Sequence, residues 1–255
     1  MFKTLRTVFI SICALVLLQG CFLINGPLEY AEATYGEDTN VPSVNYLPIG
    51  IPFLLGGHGS SVPISQELSL TAKHIAQLDY SSVVAYHPDC DIAIIKENNV
   101  GKSFAPIGTI QRDQATTTVG MGLTGKVLIG EGKYYIDVNF VDSSLFARCP
   151  ASITDAPVQS GMSGGGVFNE NGELVGIISG ISGSGFKLLD GTDLGNERTS
   201  VFVSTLHVKP WLVETIESFY GESQDVLTAN LQTSLSIDSP ALPPTPEASG
   251  TSRGK

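Results

Sequence analysis

The stretch Ser160-Gly161-Met162-Ser163-Gly164-Gly165-Gly166-Val167-Phe168-Asn169-Glu170-Asn171-Gly172-Glu173-Leu174-Val175-Gly176-Ile177-Ile178-Ser179-Gly180 decides how the rest of the chain is read. Ser163 stands among Gly161, Gly164, Gly165 and Gly166, a run in which backbone can pass close to a ligand. Val167-Phe168, a turn at Asn171-Gly172 and the apolar run from Leu174 to Ile178 then spell a β-hairpin. A serine on a glycine loop beside a hairpin suits a nucleophile whose neighbouring N–H groups face a developing oxyanion. The same residues also fit a plain glycine-rich turn, so the rest of the chain has to decide between the two.

Working outward, short apolar runs separated by Gly, Asp and Asn predict strands at 82–86, 92–96, 116–121, 125–129, 134–141, 175–179 and 200–204. A looser alternation from Val62 to Leu70 leads into Thr71-Ala72-Lys73-His74, and Gly56-Gly57-His58-Gly59-Ser60-Ser61 reads as a tight turn before it. With so little helical periodicity, the pattern implies an all-β barrel or sandwich. The one clear helix is predicted at 209–220, with Pro210 in its first turn and Trp211, Thr215 and Phe219 on one face.

Composition narrows the functional classes. The chain has 255 residues, 42% hydrophobic, with 28 glycines and a net charge of −11. It is turn-rich and globular in composition, and its charge excludes a nucleic-acid backbone as the natural partner. At the N-terminus, Lys3 and Arg6 precede an apolar segment, Thr7 to Leu18, too short to span a membrane comfortably and suited to a secretory leader. Residues 21–45 read as a flexible acidic tether, 46–222 as the folded domain and 223–255 as a polar, Pro/Ser/Thr-rich disordered tail.

A nucleophilic serine needs a base in hydrogen-bond reach and a group that fixes that base's tautomer. Of the four histidines, His58, His87 and His207 read as surface or packing residues, while His74 follows an apolar strand and is placed to enter a cleft. Asp91 opens the apolar run Ile92-Ala93-Ile94-Ile95, where a buried carboxylate demands a partner. Asp89, in His87-Pro88-Asp89, reads instead as a solvated turn residue.

Taken together, these contexts resemble the chymotrypsin-fold serine proteases, of the bacterial Deg/HtrA or glutamyl-endopeptidase branch. Thr71-Ala72-Lys73-His74, Asp91-Ile92-Ala93-Ile94-Ile95 and Gly161-Met162-Ser163-Gly164-Gly165 occur in the family's order, and the likeness covers roughly residues 46–220. It implies two six-stranded-type antiparallel β-barrels with a C-terminal helix. His74 is then the general base, Asp91 its orienter and Ser163 the nucleophile, with the N–H groups of Gly161 and Ser163 as oxyanion hole. Pro157 and Val158 would set the base of the primary pocket, near Ile178. Ser179, Gly180 and Ile181 would form the edge strand that pairs with a polypeptide substrate. Leu18-Gln19-Gly20-Cys21 resembles a bacterial lipobox, which implies a signal peptide at 1–20, lipid on Cys21 and a membrane-anchored place in the cell envelope.

Three departures shape what is carried over. His74 and Asp91 lie only 17 positions apart, so the first barrel is expected to be trimmed. Met162 stands where trypsins hold an aspartate that pairs with a newly cut N-terminus, so that ion pair is not available here. No charged residue occupies the pocket-base positions, although Asp155 lies two residues before Pro157. Cys90 and Cys149 either form a disulfide joining the barrels or remain two buried thiols. No cofactor and no metal site is expected, because no CxxC or HxxxH spacing exists. The competing function is a catalytically inactive barrel that binds peptides or an envelope partner.

Overall fold

The computed structural model describes residues 23–31, 42–51, 55–79, 82–140, 146, 148–182, 187–221 and 247–248. The expected leader, Cys21 and most of the expected tail lie outside the described residues. The elements are β1 (Glu29–Tyr30), β2 (Asn45–Ile51), β3 (Leu55–Pro63), β4 (Leu68–Thr71), α1 (Lys73–Ala76), β5 (Ser82–Tyr86), β6 (Ala93–Lys96) and β7 (Ala115–Met121). They continue as β8 (Val127–Phe140), β9 (Ala151–Thr154), β10 (Gly166–Asn169), β11 (Leu174–Ser182), β12 (Thr199–Ser204), α2 (Thr205–Tyr220) and β13 (Glu247–Ala248).

Strands β7 to β12 close a six-stranded antiparallel barrel: β7 pairs β8 and β10, β10 pairs β11, β11 pairs β12, and β9 joins β12 to β8. The first half is smaller, a five-stranded sheet in the order β2-β3-β4-β6-β5. The trimming expected from the short His74–Asp91 spacing is thus an open five-stranded sheet beside a closed barrel.

One buried cluster joins the halves. Leu68, Leu70, Ile92 and Ile94 of the first sheet pack in the same core as Val119, Leu174, Ile177 and Val203 of the barrel. Helix α2 lies across both with Val208, Leu212 and Ile216 buried, a one-sided stripe at helical spacing. Its ends are fixed to different halves. His207 meets Asp137 on β8 at 3.0 Å, and the Tyr220 hydroxyl meets Ser65 of the first sheet at 2.7 Å.

Several local expectations differ from the structure. The helix starts at Thr205 because the Ser204 side chain caps it, accepting from the Leu206 N–H, so Pro210 lies inside the helix and not in its first turn. Its buried stripe is Val208, Leu212 and Ile216; Trp211 and Phe219 only flank the core. The Gly56–Ser61 segment is strand, not turn: the glycines give room for side chains, and a Cβ on Gly59 would lie 2.5 Å from Ile75. The two strands expected at 125–129 and 134–141 are the single strand β8. It continues through Gly130 and Gly132 because the 155–157 loop lies on it: a Cβ at either glycine would come 2.2 Å from that loop's backbone.

The stretch read as a flexible tether also differs, in part. Residues 23–31 lie against the barrel, with Glu29 and Tyr30 paired to Ile129 and Leu128 of β8, and Ile24 bridged to Gln159. Cys90 and Cys149 form a disulfide at a sequence separation of 59, joining the residue before Asp91 to the segment before β9. Closing a loop of that length stabilises the folded chain by about 4 kcal/mol in the chain-entropy picture.

Candidate active site

His74 is the second residue of α1, a single turn whose N-cap is Ala72. Two hydrogen bonds tie it to Asp91: its backbone N–H donates to Oδ1 at 2.9 Å, and its ring Nδ1 meets Oδ2 at 2.8 Å. Nδ1 therefore carries a proton, so that in the neutral ring Nε2 is the acceptor nitrogen, with no partner among the described residues. The Asp91 carboxylate has no solvent exposure, while the His74 side chain is 32% exposed. A buried carboxylate satisfied twice by one residue fixes both the position and the tautomer of that residue's ring.

The loop before Asp91 is built to hold it. His87 accepts the N–H groups of Asp89 and Cys90 on Nδ1, at 3.2 and 2.9 Å, and packs edge-on against Trp211. Burial holds the His87 imidazole below the ordinary histidine range, which suits a ring used as an acceptor. Lys73 closes the frame by donating to the carbonyl of His87 at 2.8 Å. His87 is thus a packing residue, as expected, and its packing supports Asp91.

On the other side, the loop 161–165 presents Ser163. Gly161 and Gly164 hold positive φ, +97° and +86°, the left-handed region that favours glycine. Space requires glycine at both as well. A Cβ on Gly161 would lie 2.1 Å from His58 Nε2, and one on Gly164 2.0 Å from the Ser60 carbonyl oxygen. Main-chain bonds between Gly164 and Ile178, and between Ile178 and Gly165, lock the loop to β11. The N–H groups of Gly161 and Ser163 have no acceptor among the described residues. The Ser163 hydroxyl donates to the Ser179 carbonyl at 3.4 Å.

Ser60, which sequence reasoning passed over inside the supposed turn, is fully buried between the halves. Its N–H donates to the Ser163 carbonyl at 2.8 Å and its hydroxyl to the Gly161 carbonyl at 2.9 Å. The same hydroxyl accepts from the Met121 N–H at 2.8 Å, and the Ser60 carbonyl accepts from the Thr71 hydroxyl at 2.7 Å. Next to it, His58 stacks on Tyr46 and donates Nε2–H to the Met121 carbonyl, directly beneath Gly161. Burial lowers its pKa against the opposing effect of the bonds to Met121 and Gly122, so the ring supports the loop in its neutral form. No local sequence pattern marks either residue, because the barrel groups that fix them lie 61 to 101 positions away.

The pocket and edge-strand candidates divide. Val158 and Ile178 are buried with Met162 and Phe202 in the barrel core, behind the loop. Ile181 flanks that cluster half-exposed, and Pro157 is buried with its carbonyl bonded to the Thr118 hydroxyl at 2.6 Å. Beyond Ile178, the 179–182 end of β11 pairs with β12 alone, with no strand on its other side among the described residues. The Ser179 hydroxyl is buried and has no partner among the described residues. Asp155 is turned away: its carboxylate accepts from the Lys133 N–H at 2.7 Å and the Tyr135 hydroxyl at 2.9 Å. Burial, with that Asp155 bond, pushes the Tyr135 phenol up to about 12, so it remains a donor.

A closed six-stranded barrel, a smaller sheet packed beside it and a helix after the last strand make this a chymotrypsin-like fold. Residues 59–177 match the family model of the trypsin-like peptidase domain. Similar solved structures include the HtrA-type protease AlgW with a tripeptide, at 18% identity and TM-score 0.55, covering 72% of this chain and 62% of that one. The active form of the Rv3671c protease from M. tuberculosis aligns at 16% identity and TM-score 0.55, covering 68% and 81%. The MamO protease domain from Magnetospirillum magneticum aligns at 18% and TM-score 0.50, covering 67% and 95%. The chain thus spans about 62% of the length of the AlgW structure it resembles. No curated protein matches it by sequence. At the level of fold, the chain is similar to chymotrypsin-like serine proteases.

The grip of Ser60 on the glycine loop gives a direct test. Ser60→Ala leaves the buried Met121 N–H and the partly buried Gly161 carbonyl without that partner, at up to about 1–3 kcal/mol for each group. Urea unfolding of the variant should show a loss of roughly 2–5 kcal/mol. An unchanged midpoint would contradict the role given to this hydroxyl.

Proposed function

We propose that the protein is a serine endopeptidase, with Ser163 as nucleophile, His74 as general base and Asp91 as the group that orients it. The observation that carries this reading is the double hydrogen bond from His74 to the buried Asp91 carboxylate, which leaves Nε2 as an acceptor at the cleft. As Ser163 Oγ attacks the scissile carbonyl, its proton passes to His74 Nε2, and the imidazolium formed is stabilised by Asp91. The carbonyl oxygen becomes an anion and accepts from the N–H groups of Gly161 and Ser163. His74 then returns the proton to the leaving amine, and water, activated by the same nitrogen, releases the acyl group from Ser163. An extended substrate would add to the open side of β11 at Ser179, Gly180 and Ile181.

One observation favours the second reading, a barrel that binds peptides without cutting them. The Ser163 hydroxyl is bonded to the Ser179 carbonyl and not to His74. A peptidyl phosphonate, which labels only an activated serine, separates the two. Ser163→Ala, His74→Ala and Asp91→Asn should each lower turnover by on the order of a thousandfold or more, far from additively. Labelled wild type with unlabelled Ser163→Ala is the expected result. Turnover surviving in purified Ser163→Ala would sink the assignment of the nucleophile.

The proposed pocket base is apolar. With Pro157 and Val158 buried and Asp155 held by Lys133 and Tyr135, a charged substrate side chain would find no partner there. Leaving it unpaired costs several kcal/mol, so small and medium apolar residues such as Ala, Val, Leu and Met should occupy the acyl side of the cut. Sequencing the products of a denatured protein mixture tests this, and a strong preference for Arg, Lys or Glu would reject it.

The enzyme is further proposed to be held in the bacterial cell envelope by lipid on Cys21, on the strength of the lipobox-like Leu18-Gln19-Gly20-Cys21. Cys21→Ser should shift the protein out of the membrane fraction or leave the precursor uncut, because stable anchoring needs the multiply acylated N-terminus. Unaltered membrane partitioning and processing in that variant would exclude the anchor.

A further inference from the structure

We propose that Asn25 is a positioning residue for the nucleophile loop, the centre of an N-terminal strap that sets where the oxyanion-binding N–H groups point. The proposal rests on the serine-protease reading of Ser163 and Gly161. Residues 23–25 lie outside the stretch matched by the peptidase family model, which begins at residue 59.

Residues 158–160 lead directly into Gly161, so their placement fixes where the loop begins. Up to Pro157 the barrel itself holds the chain: Ser200 Oγ donates to the Ala156 carbonyl at 2.6 Å, and Thr118 Oγ1 to the Pro157 carbonyl at 2.6 Å. After Pro157 the N-terminal segment takes over. The Val158 N–H donates to Asn25 Oδ1 at 2.8 Å, and the Val158 carbonyl accepts from the Asn25 N–H at 3.3 Å. The Ser160 N–H donates to the Leu23 carbonyl at 2.9 Å, and the Leu23 N–H to Ser160 Oγ at 3.0 Å. Ile24 faces Gln159 across this short antiparallel bridge.

Asn25 does more than add to a ladder. Its Nδ2 donates to the Thr199 carbonyl at 3.2 Å and to Ser200 Oγ at 3.0 Å, both on β12. One side chain therefore accepts from the nucleophile loop and donates to the barrel wall. A primary amide has both capacities; a carboxylate has no donor for the Thr199 carbonyl, and alanine has neither. Gly26 completes the fit, because a Cβ there would lie 2.6 Å from Arg198 and 3.0 Å from Pro157. Met162 carries no charge with which to anchor a chain terminus, so the loop is held here by neutral hydrogen bonds from within the segment.

A loop displaced by about an ångström loses alignment with a transition state without losing its binding surface. Asn25→Ala and Asn25→Asp, made in the full mature chain, should therefore lower kcat on the order of 10- to 100-fold with KM nearly unchanged. The rate of phosphonate labelling should fall by the same factor in a variant that remains folded, with a thermal midpoint lowered by the loss of the Val158 and Thr199 hydrogen bonds. Amide exchange, followed in deuterium, should quicken at Val158 and Ser160 on the order of tenfold, with the first sheet unaffected. Asn25→Asp keeps an acceptor for Val158 and loses only the donors, so it serves where the alanine variant fails to accumulate. Wild-type kcat and labelling, or unchanged exchange at 158–160, would overturn the strap. A wild-type chain that neither cuts nor labels would instead remove the protease reading, and the exchange measurement would still decide the strap on its own.

Discussion

Ser60 is where the two halves of the molecule become one site. Asp91 and His74 belong to the first sheet and its following turn, Gly161 and Ser163 to the barrel, and neither half alone sets their separation. The Ser60 backbone and hydroxyl bond to Gly161 and Ser163 on one side and to Thr71, three residues before His74, on the other. A fully buried hydroxyl that must satisfy two partners has one acceptable position, since any shift strands a polar group away from water. The close approach of Gly164 to Ser60 and Thr71 adds a steric limit to the same joint.

The remaining architecture protects that joint. Helix α2 is fastened to β8 through His207 and Asp137 and to the first sheet through Tyr220 and Ser65, so it spans the two halves from outside. Burial alone would raise the Asp137 pKa, yet the bonds and charge from His207, with those from Ser152 and Tyr134, bring it below the usual carboxylate range. The Cys90–Cys149 disulfide is a third tie, next to Asp91. Among the described residues the first sheet has five strands and a small core of its own around Leu47, Ile75 and Ile95, and these ties add to what that core supplies.

The sequence carried the chemistry more clearly than the joinery. His74, Asp91 and the glycine loop sit in local patterns whose physical reasons operate within a few residues: a carboxylate at the head of an apolar strand, a serine where only glycine tolerates the backbone. The hairpin at Asn171-Gly172 was equally legible. Ser60 was not, because nothing in Gly-His-Gly-Ser distinguishes a turn from a strand whose small residues make room for Ile75 and for a loop a hundred positions away. The interruption placed between 129 and 134 failed for a similar reason, since Gly130 and Gly132 clear space for a crossing segment and do not break the strand. In α2 the bulkier Trp211 and Phe219 share helical spacing on a neighbouring face, while the smaller Val208, Leu212 and Ile216 fill the core. Residues 23–31 have the composition of a linker, and only pairing with distant segments lays them against the barrel.

The position of Leu23 has a consequence for reach. Its carbonyl is bonded to Ser160, three residues from Ser163, and only Phe22 separates it from Cys21. Two extended residues span about 7 Å, about the thickness of one headgroup layer. Given the anchoring proposed at Cys21, the cleft is on a short leash at the bilayer surface, and its lateral range is that of the lipid itself. If the proposed anchor and the proposed protease activity both hold, a polypeptide has to come to the bilayer surface to be cut.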